Sequence, residues 1–99
     1  MQNNVYALGA VVEMLEKEIE GLLILGEIYH YGNEGTSPDL ILAESYYREA
    51  AEMGDWEGMR LLAAVLEEQG LHAEALLWLA RAASEGDEKA TALLRGRDK

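Results

Sequence analysis

The sequence predicts an all-α fold, a short solenoid built from antiparallel helix pairs. Three observations support this prediction: apolar residues recur at helical spacing, glycines mark the expected helix ends, and one two-helix unit occurs twice. No segment alternates apolar and polar residues with a period of two, as a half-buried β-strand would. We therefore expect helices throughout the chain.

The internal repeat is the strongest of these observations. The motif Ala50 to Asp55 returns 32 residues later as Ala82 to Asp87. A preceding helix, Leu22 to Tyr29, matches Met59 to Leu66 at an offset of 37. The repeated unit is therefore a pair of helices. A third copy starts at Gly86 and stops after one helix.

The first two helices are expected at residues 4–16 and 19–31. The first begins with the apolar run from Val5 to Val12, and a break is expected around Lys17. The second is the leading helix of the first repeat. It is expected to end at Gly32, because glycine adopts the left-handed conformation of a helix end without strain.

The next two helices, the second of repeat 1 and the first of repeat 2, are expected at residues 38–53 and 56–69. Ser37 is predicted to be the N-cap, with Pro38 at the first helical position and Asp39 near the positive end of the helix dipole. Gly54 is expected to end this helix, and Asp55 to cap the next one directly. The turn between the two helices must then be very tight.

The last two helices are expected at residues 72–85 and 87–95 and follow the same rules. Gly70 and Gly86 are expected at helix ends, and Asp87 as the last N-cap. Small residues are expected where helices approach closely, namely Gly21, Gly26, Ala43, Ala50, Gly58, Ala63, Ala75, Ala82 and Ala90. Large apolar residues are expected to fill the spaces between helices, namely Leu25, Ile28, Tyr29, Leu62, Val65 and Leu66.

Two runs of spaced residues carry a family pattern. They are Gly21-x-x-x-Leu25-Gly26-x-x-Tyr29-x-x-Gly32 and Asp39-x-x-x-Ala43-x-x-Tyr46-Tyr47-x-x-Ala50-Ala51-x-x-Gly54-Asp55. The pattern closely resembles the Sel-one-like repeat, a relative of the tetratricopeptide repeat. The second copy departs from it, since Ala63 replaces the glycine, Leu66 replaces the tyrosine, and the connector near Gly70 is shorter.

The resemblance covers residues 20–94 and implies a right-handed superhelix of antiparallel pairs that works as an adaptor or scaffold. It divides the single domain into four parts. These are an N-terminal capping helix (1–19), a first repeat (20–55), a second repeat (56–87) and a truncated third unit that acts as a C-terminal cap (88–99).

The charge of the chain is strongly acidic. Its net charge is −11, with −12 in residues 1–80 and +1 in residues 81–99. Such a body repels phosphate backbones and anionic lipid and attracts a basic protein partner. The alternative is that acidity only keeps the protein soluble. No apolar stretch is long enough for a membrane span, and no secretory signal is visible, so the expected location is cytoplasmic.

Motifs for catalysis are absent from the sequence, so we assign no catalytic residue, no metal and no cofactor. Without cysteine, thiolate metal sites and cysteine nucleophiles are excluded. His30, near Glu27 and Glu34, and His72, near Glu68, offer at most weak metal sites. Glu13, Glu16 and Glu20 would share a helix face with Lys17 nearby, which favours a solvated surface over a catalytic one.

The aromatic residues fall into two groups. Tyr29, Tyr46 and Trp78 occupy repeat positions that are expected in the core. Tyr31, Tyr47 and Trp56 are less constrained. Trp56 has Glu88 as its counterpart in the third copy. A position that accepts glutamate is expected to be exposed, and an exposed tryptophan suggests an interface.

The resemblance implies that the first helix of each pair lines a concave surface. The expected partner-binding residues are Glu20, Leu23, Glu27, His30, Trp56, Glu57, Arg60 and Glu67, with Ala64, Lys89 and Ala92 on the same surface. The alternative is that these are ordinary solvated positions. We therefore expect a non-enzymatic adaptor or inhibitor, either immunity-type or secretion-associated, that is a monomer or weak homodimer. The rival hypotheses are a self-assembling structural repeat protein and, remotely, a metal-dependent enzyme.

Overall fold

The computed structural model describes residues 3–97 and contains five helices within them. They are α1 (Asn3–Tyr31), α2 (Leu40–Glu52), α3 (Trp56–Glu68), α4 (His72–Ser84) and α5 (Glu88–Arg97). The described residues form no strand, apart from an isolated bridge between Asn33 and Thr36 in the first connector. The prediction of an all-α solenoid is confirmed.

Helix α1 is one continuous helix of 29 residues, so the predicted break around Lys17 is wrong. Residues 13–20 contain no proline or glycine and consist mainly of strong helix formers. Glu13 and Lys17 also stand four residues apart, in the order that supports a helix. Residues 1–19 are therefore not a separate helix, and their described part projects from the leading helix of the first repeat.

The glycine helix ends are confirmed. Gly32, Gly54, Gly70 and Gly86 all have positive φ, between 76° and 112°. After α2, the Gly54 amide donates to the Ala51 carbonyl at 3.0 Å, and the Asp55 amide to the Ala50 carbonyl at 3.2 Å. This pairing satisfies the last carbonyls of the helix and turns the chain at once. Asp55 then caps α3 by accepting from the Gly58 amide at 2.8 Å, as predicted.

The start of α2 differs from the prediction. Its N-cap is Asp39 and not Ser37: Asp39 is extended, and its carboxylate accepts from the Leu42 amide at 3.0 Å. The Asp39 amide also donates to the Tyr29 carbonyl at 2.6 Å, which ties α2 to the end of α1. Pro38 therefore precedes the helix and does not occupy its first position.

Packing follows chain order, because each helix packs mainly against its neighbours in sequence. The radius of gyration is 15.5 Å, compared with about 13 Å for a compact domain of 100 residues. The core consists of the residues between α2, α3, α4 and α5, namely Ala43, Tyr47, Ala51, Met59, Leu62, Ala63, Val65, Leu66, Ala75, Leu79, Ala82 and Ala90. Because the helices are stacked in chain order, the leading helices of the units, α1, α3 and α5, form one long surface.

Most of the predicted close-packed positions are buried, but two expectations on α1 are wrong. No atom lies within 4 Å of the position that a Cβ of Gly21 would take, and Leu25 is exposed. The equivalent of Gly21 in the second repeat is Gly58, which packs against Ala50 of the preceding helix. In the part of the chain that is described, no helix precedes α1, so Gly21 has nothing to pack against.

The aromatic assignments are partly right. Tyr29 and Tyr46 stack with ring centroids 5.7 Å apart, and Trp78 is half-buried against the core. Tyr47, expected to be less constrained, is instead the largest fully buried side chain. Its ring fits against Gly26, where any side chain would collide with it. Gly26 of α1 and Tyr47 of α2 therefore form one close contact between the two helices.

Candidate partner-binding surface

A groove of about 850 Å³ runs along the surface formed by the leading helices of the repeats. It lies between the end of α1, the outward face of α3 and the outward face of α5. The lining residues are Tyr31, Arg60, Leu61, Ala63, Ala64, Glu67, Glu68, Leu79, Ala92, Leu93 and Gly96. Tyr31, Ala64 and Leu93 are exposed in it. The groove thus presents apolar surface to solvent.

The groove is built from equivalent repeat positions. At the offset of 32, Leu61 on α3 corresponds to Leu93 on α5, and Ala64 corresponds to Gly96. The sequence analysis did not select Tyr31, Leu61, Glu68 or Leu93. The repeat offset of 32 could have identified Leu93. It makes Leu93 equivalent to Leu61 on α3, the helix on which other candidate residues had already been predicted.

Four predicted site residues lie in or beside the groove. Arg60 and Glu67 line it. Trp56 and Glu57 lie in an adjoining depression between α3 and the start of α5, together with Lys89. Trp56 is 44% exposed, as the comparison with Glu88 predicted, and one edge of its ring lies close to Gly86.

Two further predicted residues, Glu20 and Glu27, are exposed on α1. Glu27 precedes Tyr31 by four residues, and Glu20 precedes Glu27 by seven, so all three share a helix face. Because α1 is continuous, Glu13 and Glu16 extend the same acidic face. This face leads to the groove at Tyr31 without lining it.

The remaining two predicted site residues, His30 and Leu23, are not free surface positions. His30 is only 5% exposed, and Leu23 packs against the core. The helical phase explains the error: His30 and Leu23 lie beside Gly26 and Leu22, which face the interior. His30 therefore lies beneath the surface of the groove and does not form part of it.

His30 joins three helices through its two ring nitrogens. Nε2 is 2.9 Å from a carboxylate oxygen of Glu68 on α3, and Nδ1 is 3.4 Å from the Tyr47 hydroxyl on α2. Burial, reinforced by nearby negative charges, raises the pKa of Tyr47, so the phenol keeps its proton. The consistent arrangement is that Tyr47 donates to Nδ1 while Nε2–H donates to Glu68.

This arrangement also positions Tyr31. The Tyr31 ring stacks on His30 at a centroid distance of 4.2 Å, yet the residue is exposed in the groove. A ring that rests on a buried and hydrogen-bonded neighbour loses little further freedom when a partner covers it. The Tyr31 ring is therefore held in one orientation at the surface of the groove.

Arg60 is held by an ion pair at the other end of the groove. Its Nε donates to Asp87 at 2.8 Å, while the second oxygen of Asp87 caps α5 by accepting from the Lys89 amide at 3.0 Å. The N-cap predicted at Asp87 is thus confirmed. Because this carboxylate neutralises Arg60, the guanidinium contributes shape more than free positive charge to the groove.

The acids of the groove lie at the end of α3. Glu67 pairs with His72, and Glu68 accepts from His30. The sequence analysis placed His72 near Glu68; its ion-pair partner in the structure is the preceding residue, Glu67. Among residues 3–97, no cluster of three or more histidine, aspartate or glutamate side chains has the geometry to hold a metal ion. No described helix combines the length and the apolar character that crossing a membrane demands.

Comparison with known proteins identifies the repeat. The family model for the Sel1 repeat matches residues 19–55 and again residues 56–87. The two matches are adjacent and together span more than half of the chain. No solved structure matches the chain.

Proposed function

The chain belongs to the Sel1 repeat family, and we propose that it is a non-enzymatic adaptor or inhibitor that binds a protein partner in the groove between α1, α3 and α5. Sel1 repeats are in general protein-interaction modules. The observation that carries the proposal is the exposed apolar surface of Tyr31, Ala64 and Leu93, which adjoins acidic side chains.

The partner that fits this surface carries apolar side chains flanked by basic ones. Leu61 and Leu93 offer apolar contacts at equivalent repeat positions, and Glu68 accompanies them at the groove edge. The acidic face of α1 lies next to the groove and adds negative charge. Arg60 is already paired with Asp87, so it opposes a basic partner only weakly.

Three versions of the protein, used as bait in parallel, test the proposal. They are the wild type, Leu93→Arg in the groove, and Leu77→Arg on α4. Leu93 is 53% and Leu77 is 71% exposed, so neither substitution disturbs the core. Quantitative mass spectrometry compares the amount of each captured protein that the three versions retain. Calorimetry then measures the Kd of each candidate partner for each version.

We expect a partner that binds the wild type and the Leu77→Arg variant but not the Leu93→Arg variant. An arginine at this lining position should cost about 2 kcal/mol or more, which corresponds to about 30-fold in Kd. If each captured protein binds all three versions equally, the groove is not the binding site. Equal loss from both arginine variants would also contradict the proposal, because it would indicate a general effect of charge.

A further inference from the structure

Residues 9–18 of α1 project beyond the packed helices. Residues 9–18 are all exposed, and α1 packs mainly on α2, which has only 13 residues against the 29 of α1. A helical segment of about ten residues without tertiary contacts is marginally stable in water. The projecting segment therefore gains stability from any helix that packs against it.

Apolar residues on this segment follow a heptad pattern. Val12, Leu15, Ile19 and Leu22 are spaced by three and four residues, and the sequence continues the spacing backwards with Leu8 and Val5. Valine and isoleucine occupy one heptad position and leucine the other, which is the combination that favours two-stranded coiled coils. We call the line from Val5 to Leu22 the α1 seam.

Among residues 9–22, the α1 seam is covered only at its C-terminal end. Leu22 is buried, and further along the same line Gly26 contacts Tyr47 of α2. Val12 and Leu15 remain 51% and 45% exposed. Helix α2 thus occupies the seam from Leu22 onwards, and the preceding part lacks a partner helix in the described structure.

We propose that this uncovered part of the α1 seam pairs with the same segment of a second copy of the chain, in an antiparallel two-helix interface. A parallel pair is blocked, because a straight parallel helix would run into the position of α2 beyond Ile19. In an antiparallel pair, the two sets of repeats lie at opposite ends of the two-helix interface. The second copy then covers the part of each seam that precedes α2.

The spacing and the charges of the segment fit the antiparallel orientation. The heptad positions 5, 8, 12 and 15 are symmetric about residue 10, so position 5 comes level with 15, and position 8 with 12, of the second copy. Residues 3–12 carry no charge, whereas residues 13–20 hold four glutamates and one lysine. The antiparallel orientation therefore places each acidic half beside an uncharged half. It also keeps the two acidic repeat bodies apart.

Molar mass in solution tests the pairing. Sedimentation equilibrium of the wild type should show a mass that rises with concentration from 11.0 kDa to twice that value and no further. Leu15→Lys should raise the dissociation constant at least tenfold. Met14→Lys is the matched control, because Met14 is exposed on the same segment but lies off the seam, and it should leave the dimer intact.

Circular dichroism should show both variants folded, since neither residue touches the core. A wild type that stays monomeric at several hundred micromolar would overturn the proposal. It would also be overturned if Met14→Lys weakened the dimer as much as Leu15→Lys, or if the mass rose beyond two copies.

Spin labels test the orientation. The chain has no cysteine, so single cysteines at Ala10 and Lys17 are unique attachment points. These residues are seven apart and lie on the same side of α1, away from the seam. In the antiparallel dimer the two labels at position 17 are about 21 Å further apart along the helix axis than those at position 10. Equal distances at both positions would indicate a parallel pair and overturn the proposal.

Discussion

Gly21 and Gly58 occupy the same repeat position, 37 residues apart, but their surroundings differ. A Cβ on Gly58 would lie 2.8 Å from the Ala50 Cβ and 3.0 Å from the Ala51 amide nitrogen. The backbone of α2 cannot move away from such an atom without disturbing its own packing. Gly21 has open space at the equivalent point. Glycine is therefore required for packing at one site only.

Alanine substitutions at these two positions should have opposite effects on stability. Gly58→Ala should lower the free energy of unfolding by about 1 to 3 kcal/mol through overpacking. Gly21→Ala should raise it by about 0.5 to 1 kcal/mol, because alanine is the better helix former. Urea denaturation of both variants measures these changes. Loss of stability in Gly21→Ala would mean that a packing element covers this face of α1.

Individual side chains were harder to predict than repeat positions. Tyr46 and Tyr47 are adjacent and chemically identical, and only the helical phase of α2 against Gly26 decides that Tyr47 is the fully buried one. His30 and Glu67 are equivalent at the offset of 37, but His30 turns inward because Tyr47 and Glu68 both offer it hydrogen bonds. Such choices depend on contacts between helices, which one sequence does not reveal.

At the scale of helices, local chemistry predicted most of the boundaries. Each glycine end and both aspartate caps at residues 55 and 87 were correct, because these signals act within one turn of the backbone. The continuity of α1 was missed. Residues 9–18 of α1 are all exposed and pack on no other described helix, so the continuity of the helix around Lys17 depends on intrinsic propensity.

Helices α2 and α4 are linked by a polar cluster on their outer side. Arg48 of α2 donates to Glu44 on the same helix and pairs with Glu74 of α4, both at 2.9 Å. Gln69 donates to the other oxygen of Glu44 at 2.9 Å. The pKa of Glu44 lies below its ordinary value of 4.5, mainly because Arg48 donates a hydrogen bond to its carboxylate. Burial acts in the opposite direction and raises this pKa.

This lowered pKa predicts a pH-dependent contribution to stability. The folded protein binds a proton at Glu44 more weakly than the unfolded chain does. The contribution is therefore present above pH 4.5 and is lost as the pH falls through the folded-state pKa. Glu44→Gln should be less stable than wild type by about 1 kcal/mol at pH 7, and the difference should shrink in acid.

Denaturant unfolding at pH 7 and pH 3 measures this difference. Glu52→Gln, on the exposed side of the same helix, is the control for the loss of one acid and should change stability little. A Glu44→Gln deficit that is as large at pH 3 as at pH 7 would show that the charge of Glu44 does not stabilise the contact between α2 and α4.

For the whole molecule, the repeat made the groove predictable in outline. Once the units were aligned, the leading helices of the pairs defined one surface, and Arg60, Ala64, Glu67 and Ala92 do lie in it. The position of the acids relative to the groove could not be read from net charge. Glu13, Glu16, Glu20 and Glu27 of α1 lie on a continuous face that leads to the groove, whereas Glu18 and the acids at the end of α2 lie outside this face.

This asymmetry predicts how a basic partner approaches. Exposed charges act over about 8 to 10 Å at physiological salt, so acids near the groove steer association more than acids on the outer side. Glu20→Lys with Glu27→Lys should lower the association rate several-fold and weaken its salt dependence. Glu49→Lys with Glu52→Lys changes the net charge equally on the outer side of α2, and it should have a much smaller effect.

Stopped-flow measurements at several salt concentrations separate the two double variants, once the partner of the groove has been captured. Dissociation rates should change little in either of them, because these carboxylates stay solvated at the rim. Trp56→Ala should instead raise the dissociation rate and cost about 2 kcal/mol or more, since a large aromatic side chain beside the groove is suited to a desolvated anchor. If both double variants slow association equally, net charge and not its placement governs capture, and the acidic face of α1 has no special role.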